Sequence, residues 1–350
     1  MRLFACDHCG QPVHFDNRQC VRCGYQLGFV PERLAMYALE ADGPNWRLVG
    51  EPTRIVRFCA NATLDICNWI VEVADPEPFC IACRHNRLVP NTDTQQGVDR
   101  WRRIGQAERH LFYSLLRWQL PHPDRRQDPE GGLVFDFLED EVQDGAVVPA
   151  MIGHEEGLIT IRAAEADDVT REQARTSMNE PYRTLLGHFR HETGHFIWNK
   201  LIRDRNQLDA FRVVFGDERA DYDAALQRHY DNGPPPNWQE NFISAYASAH
   251  PWEDFAECFA HYLHIVDTLE TARSFGLAVD PRGYHEMAAE VDFNPYRAES
   301  AEQLVSAWIP LSVAINSIQR SMGQRDSYPF ILSPPVVTKL EYLHGVIRGA

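Results

Sequence analysis

The sequence contains no long apolar run, and this absence limits where the protein can work. No segment approaches the roughly 20 apolar residues that a membrane-spanning helix requires. The first residues, MRLFACDHCGQPVHF, also lack the apolar stretch of about 7 to 15 residues that characterises a secretory signal peptide. We therefore expect a cytoplasmic protein that makes no contact with a membrane.

Lysine and net positive charge are also scarce. Lys200 and Lys339 are the only lysines, and the formal net charge is −16 at pH 7. An acidic chain is repelled on average by phosphate backbones, so we expect no nucleic-acid partner. The composition is otherwise ordinary for a globular protein, with 44% hydrophobic and 24% charged residues. The length of 350 residues predicts two packed units.

Cysteine is present, but it is unevenly distributed. Eight of the nine cysteines lie within the first 83 residues, whereas Cys258 lies alone and is expected only to pack in a core. In a reducing compartment, clustered cysteines are more often metal ligands than disulfide partners. We therefore predict metal sites near the N-terminus.

The first cysteine set has the spacing CxxC-x10-CxxC, which is typical of a zinc ribbon. Its members are Cys6, Cys9, Cys20 and Cys23. Four thiolates form a closed tetrahedral site, so this zinc is predicted to be structural. Such a small unit buries too little apolar surface to fold alone, and metal binding is expected to supply much of its folding free energy.

The second cysteine set is less regular, and only its last pair has the CxxC spacing. Its members are Cys59, Cys67, Cys80 and Cys83. We predict a second structural zinc here. His8 or His85 could replace a cysteine in one of the two sites, and iron is an alternative metal because thiolates also bind it. A redox role for the last pair is less favoured, because no βαβ pattern surrounds it.

The character of the sequence changes near residue 91. Residues 1–91 combine cysteines and turn residues with short β-prone runs, which predicts zinc-ribbon-like β modules. Helical periodicity dominates residues 92–350, with short strands predicted at 133–138 and 157–161. The predicted fold class is therefore α+β, with a mainly helical second domain and a small sheet. The strand at 157–161 is either an ordinary structural strand or an edge strand that pairs with an extended peptide.

The helical prediction most relevant to function covers residues 180–203, with Pro181 in the first turn, where a missing N–H costs little. Another helix is expected from about Pro251 onward. Apolar periodicity predicts further helices near 284–293, 300–322 and 335–348.

The helix at 180–203 contains the segment HETGH. His191 and His195 are four residues apart, so their imidazoles project from nearly the same helical face and can share one ion. Glu192 can then act as general base toward a water whose pKa the zinc lowers to about 7. The motif therefore predicts a catalytic zinc and the hydrolysis of an amide bond.

A catalytic zinc with an open position requires a third protein ligand. Glu253 and Glu257 lie one helical turn apart, so one can bind zinc while the other orients a ligand histidine. His261 and His264 are further candidates, and spacing alone does not decide among the four residues. The longer HExxHxxGxxH site is excluded, because tryptophan and leucine stand where its glycine and third histidine belong.

These residues resemble the active site of anthrax lethal factor and of the bacterial Pro-Pro endopeptidases. In that gluzincin-like pattern, HExGH is followed by Tyr-x6-Glu-x3-Glu, which corresponds here to Tyr246, Glu253 and Glu257. The resemblance implies that Glu253 binds the zinc and that Tyr246 stabilises the oxyanion. Glu257 then has the role of orienting a ligand histidine.

The whole chain resembles a bacterial family of zinc-binding metallopeptidases that begin with a zinc ribbon. The resemblance rests on the segments CDHCG, CVRCG, CNW, FCIAC, GLITI, EADD, HFRHETGHFIW, FGDERADY and HPWEDFAECFAHYLH. It implies a zinc metallopeptidase that acts on a peptide or a protein, and it implies no particular substrate. Two alternatives stay open: a protein-binding or nucleic-acid-binding adaptor with a vestigial site, and a zinc hydrolase of isopeptides or other non-peptide amides.

Overall fold

The computed structural model describes residues 1–143, 146–150, 152–178 and 180–349. The chain forms two compact units, one of Met1–Arg117 with His122–Ala174 and one of Trp118–Pro121 with Arg175–Ala350. Strands dominate the first part of the chain and helices the second, which confirms the predicted α+β class. Two compact units need not coincide with two domains, so the domain boundary near residue 91 stays a prediction.

The N-terminal region of the first unit consists of short strands. They are β1 (Phe4–Ala5), β2 (Pro12–Val13), β3 (Gln26–Val30), β4 (Ala35–Asp42), β5 (Asn45–Leu48), β6 (Glu51–Phe58), β7 (Ile70–Glu72) and β8 (Asn86–Leu88). Strands β1 and β2 form a hairpin around the first cysteine pair, and β3 to β7 form a five-stranded antiparallel meander. Short strands of this kind agree with the predicted ribbon-like modules.

One face of the meander is apolar and buried. Its cluster consists of Val30, Leu39, Leu48, Val56 and Ile70. Strands with one buried face alternate apolar and polar side chains, and β-branched residues pack well on such a surface. The meander therefore has a small core of its own beside the cysteine sites.

The rest of the first unit adds two helices, a two-stranded hairpin and a four-stranded sheet that includes β8. These elements are α1 (Gln95–Trp118), β9 (Val134–Leu138), β10 (Glu141–Gln143), β11 (Ala146–Val148), β12 (Gly153–Glu155), β13 (Leu158–Arg162) and α2 (Asp168–Ser177). The sheet has the order β12-β13-β9-β8, so β13 has a neighbour on each side. The interpretation of residues 157–161 as an edge strand is therefore wrong, and the alternative of an ordinary structural strand is correct.

The second unit is mainly helical. Its elements are α3 (Leu185–Trp198), α4 (Leu208–Phe215), α5 (Tyr222–Asn232), α6 (Pro251–Ser274), β14 (Ala278–Val279), β15 (Ala289–Glu290), α7 (Ala301–Ser321) and α8 (Pro334–Arg348). The predicted helices at 300–322 and 335–348 correspond to α7 and α8, and the predicted start of a helix at Pro251 is correct. None of the helices in the described ranges has the length and apolarity that crossing a membrane requires.

One helix prediction in this unit is wrong, and another is wrong about where the helix begins. Residues 284–293 form a 3₁₀ turn and the short strand β15, which pairs with β14. An isolated stretch this short is a marginal helix, and Pro281 and Pro295 limit it at both ends. Helix α3 begins at Leu185 instead of residue 180, because the Thr184 side chain caps it by accepting a hydrogen bond from the Gly187 N–H at 3.0 Å.

Candidate functional site

Helix α3 carries the HETGH segment, and helix α6 carries Glu253 and Glu257. The two helices approach each other closely at Gly194, where an added Cβ would lie 2.9 Å from Ala256 Cα and 3.2 Å from Ala256 O. Any larger side chain would separate the helices. The glycine therefore brings the histidines of α3 within reach of the glutamates of α6.

The first turn of α6 is held by its own cap. His250 is the N-cap residue, and its Nδ1 accepts a hydrogen bond from the Trp252 N–H at 3.1 Å. Pro251 occupies the first helical position, where no N–H donor is needed. This cap sets the direction in which Glu253 leaves the helix.

Three side chains converge between the two helices. His191, His195 and Glu253 each offer a ligand atom, and these atoms all lie within 4.8 Å of one another. His191 Nε2 lies 3.0 Å from Glu253 Oε2, and His195 Nε2 lies 3.5 Å from Glu253 Oε1. Ligands of a tetrahedral zinc with bonds of about 2.0 Å are separated by about 3.3 Å. The observed spacing therefore fits a zinc ion.

The surroundings of Glu253 also fit a cation. The side chain is almost completely buried, at 1% exposure, and its Oε2 has no hydrogen-bond partner among the described residues. A buried carboxylate oxygen without a partner is costly, and metal coordination is one of the few ways to satisfy it. The three residues thus have the spacing of a metal site, and Glu253 Oε2 is an oxygen free to act as a metal ligand.

The pKa values of these groups indicate the same preference. Burial alone would raise the pKa of Glu253, but His195 and His191 outweigh this effect and hold the pKa well below its usual value. Burial alone would lower the pKa of His191, but Glu253 and Glu257 hold it well above its usual value. The carboxylates of Glu253 and Glu257 thus give this site a preference for positive charge.

Glu257 contacts the opposite side of His191. Its Oε1 lies 2.7 Å from His191 Nδ1, and its Oε2 accepts a hydrogen bond from Ser244 Oγ at 2.5 Å. A carboxylate at Nδ1 fixes the tautomer in which Nε2 keeps its lone pair. Glu257 is therefore placed to orient His191 through Nδ1, while Glu253 lies at Nε2 of the same ring.

Glu192 lies beside the three converging side chains, and His188 lies one helical turn before it on α3. Glu192 is buried, and its Oε1 lies 3.3 Å from His188 Nε2. Burial alone would raise the pKa of Glu192, but His188 and the two histidines of the motif keep it below its usual value. Glu192 therefore carries a negative charge at neutral pH.

Two tyrosines border the site. The Tyr246 ring lies 5.8 Å from the His191 ring, and burial together with the charge of Glu253 raises the pKa of its phenol, which stays protonated. Tyr222 donates a hydrogen bond to Glu253 Oε1 at 2.7 Å. Tyr222 had no role in the sequence analysis, although it ends the FGDERADY segment. The sequence signal for its position is Asp221, a residue type that caps helices and places Tyr222 at the start of α5.

The other histidines considered as third ligands are occupied elsewhere. His261 Nδ1 lies 2.9 Å from the Tyr328 hydroxyl, and His264 Nδ1 lies 2.6 Å from Arg190 Nη1. Both histidines lie on the part of α6 beyond Glu257, where His261 is buried and His264 is half-buried. Neither one joins the ligand atoms around His191 in the described part of the chain.

The first cysteine set forms a four-thiol cluster. The Sγ atoms of Cys6 and Cys23 lie 3.7 Å apart, and those of Cys9 and Cys20 lie 3.6 Å apart. Each CxxC pair is followed by a glycine with positive φ, whose N–H bonds back to the first cysteine carbonyl. This tight turn directs both thiols of a pair to the same point, as a tetrahedral site requires.

The second cysteine set also forms a four-thiol cluster, and it is entirely buried. The Trp69 N–H and the Cys80 N–H lie 3.4 Å from Cys67 Sγ and Cys59 Sγ, respectively, as donors to thiolate ligands do. His85 lies away from this role because its Nδ1 contacts Leu133 O at 2.8 Å, and the His8 ring packs on Tyr25. Cysteine therefore supplies all four candidate metal ligands of each cluster, and neither histidine replaces one.

Comparisons with known proteins agree with this arrangement. Residues 97–346 match a family model described as "Putative zinc-binding metallo-peptidase", and residues 3–94 match a model described as a zinc-ribbon domain. Uncharacterized proteins of Mycobacterium bovis and Mycobacterium tuberculosis are 40% identical to this chain over 348 residues, which cover 99% of this chain and 95% of each relative.

No solved structure matches the chain. The local resemblance to anthrax lethal factor is not shown by these comparisons and stays a prediction. The family match covers well over half of the chain, and the relatives match along almost its whole length. The chain therefore belongs to the family described as "Putative zinc-binding metallo-peptidase" and carries a zinc-ribbon domain in its N-terminal region.

Proposed function

We propose that the protein is a zinc-dependent peptidase that hydrolyses peptide bonds, with His191, His195 and Glu253 as zinc ligands. The observation that carries this proposal is the convergence of two imidazole nitrogens on the buried Glu253 carboxylate, whose Oε2 has no hydrogen-bond partner among the described residues. The family match supports the zinc chemistry. The substrate class, a peptide or a protein, comes from the motif and the family.

The proposed roles of the other residues follow from their positions. When bound, zinc supplies a Lewis acid that lowers the pKa of water to about 7 and polarises the substrate carbonyl. Glu192 accepts the proton from the attacking water, because it is ionised and lies beside the ligand histidines. Tyr246 keeps its proton and donates a hydrogen bond to the developing oxyanion. Glu257 holds the His191 ring through Nδ1.

The two four-cysteine clusters are proposed to hold structural zinc. Each is a closed set of four thiols with no open position for a substrate. Zinc at these positions would stabilise small β modules that have little core of their own. The proposal therefore predicts about three zinc ions per chain, one of them catalytic.

The test combines metal content with activity. Elemental analysis of the wild type should give about three zinc ions per chain, and the His191→Ala/His195→Ala variant should give about two. The Glu192→Gln variant should keep all three and lose hydrolysis of a mixed peptide library by at least about 100-fold, because the general base is gone. An unchanged zinc count in the histidine variant would show that the catalytic site is wrongly assigned.

A further inference from the structure

The two oxygens of Glu253 have different surroundings. Oε1 accepts a hydrogen bond from the Tyr222 hydroxyl at 2.7 Å and lies 3.5 Å from His195 Nε2, whereas Oε2 has no hydrogen-bond partner among the described residues and lies 3.0 Å from His191 Nε2. A carboxylate is an acceptor at both oxygens, and a phenol can donate only one proton. The carboxylate thus presents one satisfied oxygen and one unsatisfied oxygen.

We propose that Tyr222 is a positioning residue whose hydrogen bond occupies Glu253 Oε1, so that only Oε2 can bind the metal. This inference rests on the proposed zinc site and extends it to a residue of α5. A bidentate glutamate would fill the coordination position that a catalytic zinc must keep open. The Tyr222 hydrogen bond therefore limits the protein to three donor atoms.

Several contacts hold Tyr222 in place. It is the first residue of α5, directly after the N-cap Asp221, whose side chain accepts from the Ala224 N–H at 3.0 Å. The Tyr222 ring packs edge-on against His250 and Trp252, with ring centroids 5.3 Å and 5.6 Å away. The phenol is thus restrained at both its backbone and its ring.

The same contacts connect Tyr222 to the start of α6. His250 Nε2 lies 3.1 Å from Ala220 O, and His250 is also the N-cap of α6. One imidazole therefore fixes the segment that leads into Tyr222 and the helical turn that carries Glu253. Donor and acceptor are positioned by a common support, which is how outer residues usually orient a metal ligand.

The test uses Tyr222→Phe in the full-length protein, with zinc kept in both cysteine clusters. The histidine site is first emptied with 1,10-phenanthroline and then titrated with Co²⁺, whose visible absorption reports affinity and coordination number. We expect the variant to bind Co²⁺ about 10- to 100-fold more weakly than the wild type. Its absorption should also weaken, as it does when a four-coordinate ion gains a fifth ligand.

The matched control is Tyr342→Phe. Tyr342 is a second partly buried phenol of this unit, and its hydroxyl has no hydrogen-bond partner among the described residues. This variant should bind Co²⁺ like the wild type. Retention of two zinc ions and an unchanged circular dichroism spectrum would show that both variants are folded.

Two results would overturn the inference, and they differ in meaning. If Tyr222→Phe has the affinity and the spectrum of the wild type, the zinc site stands and Tyr222 does not position Glu253. If the His191→Ala variant binds as much Co²⁺ as the wild type, or if the wild type binds none, the zinc site and the inference that rests on it are both wrong.

Discussion

At the scale of single residues, His188 is the side chain that most directly influences the proposed general base. Its Nε2 lies 3.3 Å from Glu192 Oε1 and opposes the rise in the Glu192 pKa that burial alone would cause. His188→Ala should therefore raise the Glu192 pKa. Because the base must be ionised to act, the acid limb of the kcat/KM profile should move to higher pH.

The measurement is the pH profile of peptide hydrolysis, with zinc content determined on the same samples. His188→Gln keeps an N–H donor and should shift the acid limb less than His188→Ala. A profile that keeps its position in both variants would mean that His188 does not act on Glu192.

A second prediction at this scale concerns Glu108 on α1. Burial raises the pKa of Glu108 to about 8, and within the described part of the chain the carboxyl has one hydrogen-bond partner, Asn86 Nδ2, at 3.1 Å from Oε2. The folded protein binds this proton more tightly than the unfolded chain, whose glutamates titrate near 4.5. Stability should therefore fall as the pH rises from about 4.5 to about 8.

Glu108→Gln keeps the shape of the protonated carboxyl and cannot ionise, so it should remove this loss. Thermal unfolding at pH 5, 7 and 9 should give a Tm advantage over the wild type that increases with pH. The exposed Glu286→Gln is the control, and its Tm should follow the wild type. A constant difference between Glu108→Gln and the wild type would contradict the assigned pKa.

At the scale of helices, the contact of α3 with α6 decides whether the metal ligands meet. Gly194→Ala places a Cβ 2.9 Å from Ala256 Cα, so the helices must separate, at a cost of about 1 to 3 kcal/mol. The variant should lose the zinc held by His191 and His195 and keep the zinc of both cysteine clusters. Elemental analysis and chemical denaturation would measure the two effects.

Gly345→Ala provides the matched control on α8. An added Cβ there meets nothing within 4 Å, so removing a helical glycine should stabilise the protein by about 0.5 to 1 kcal/mol. If Gly194→Ala behaves like this control, the close approach of α3 and α6 is not what aligns the ligands.

At the scale of the whole molecule, the three sites should differ in how they release metal. The proposed histidine site has three protein ligands and would leave one position open, whereas the cysteine clusters each offer four thiols and the second is completely buried. A moderate chelator should remove about one zinc per chain and the activity, while the circular dichroism spectrum stays unchanged. Release of the remaining zinc with a thiol-modifying mercurial should unfold the N-terminal strands.

The same titration can also contradict this prediction. Simultaneous loss of all three ions, with loss of secondary structure from the first equivalent onward, would mean that the histidine site is structural. Elemental analysis of the wild type also identifies the metal in the cysteine clusters, for which iron was the alternative to zinc.

Much of the site was predictable because its signals are local. The four-residue spacing of His191 and His195 needs only helical geometry, and each CxxC pair needs only a tight turn. The order of Glu253 and Glu257 was not decided by spacing, since either carboxylate could face the histidines. The start of α3 was missed because the cap at Thr184 and the proline at 181 are both acceptable helix beginnings.

By itself, the sequence determined which atoms are available for chemistry: two imidazoles on one helical face, an adjacent carboxylate and two sets of four thiols. Only the tertiary structure decided that each oxygen of Glu253 faces one of the two histidines and that Tyr222 occupies one of these oxygens. Tyr222 and Glu253 are separated by 31 residues, and their contact depends on the His250 cap and the approach of separate helices. Periodicity describes neighbours along one helix, and it carries no information about distances between helices.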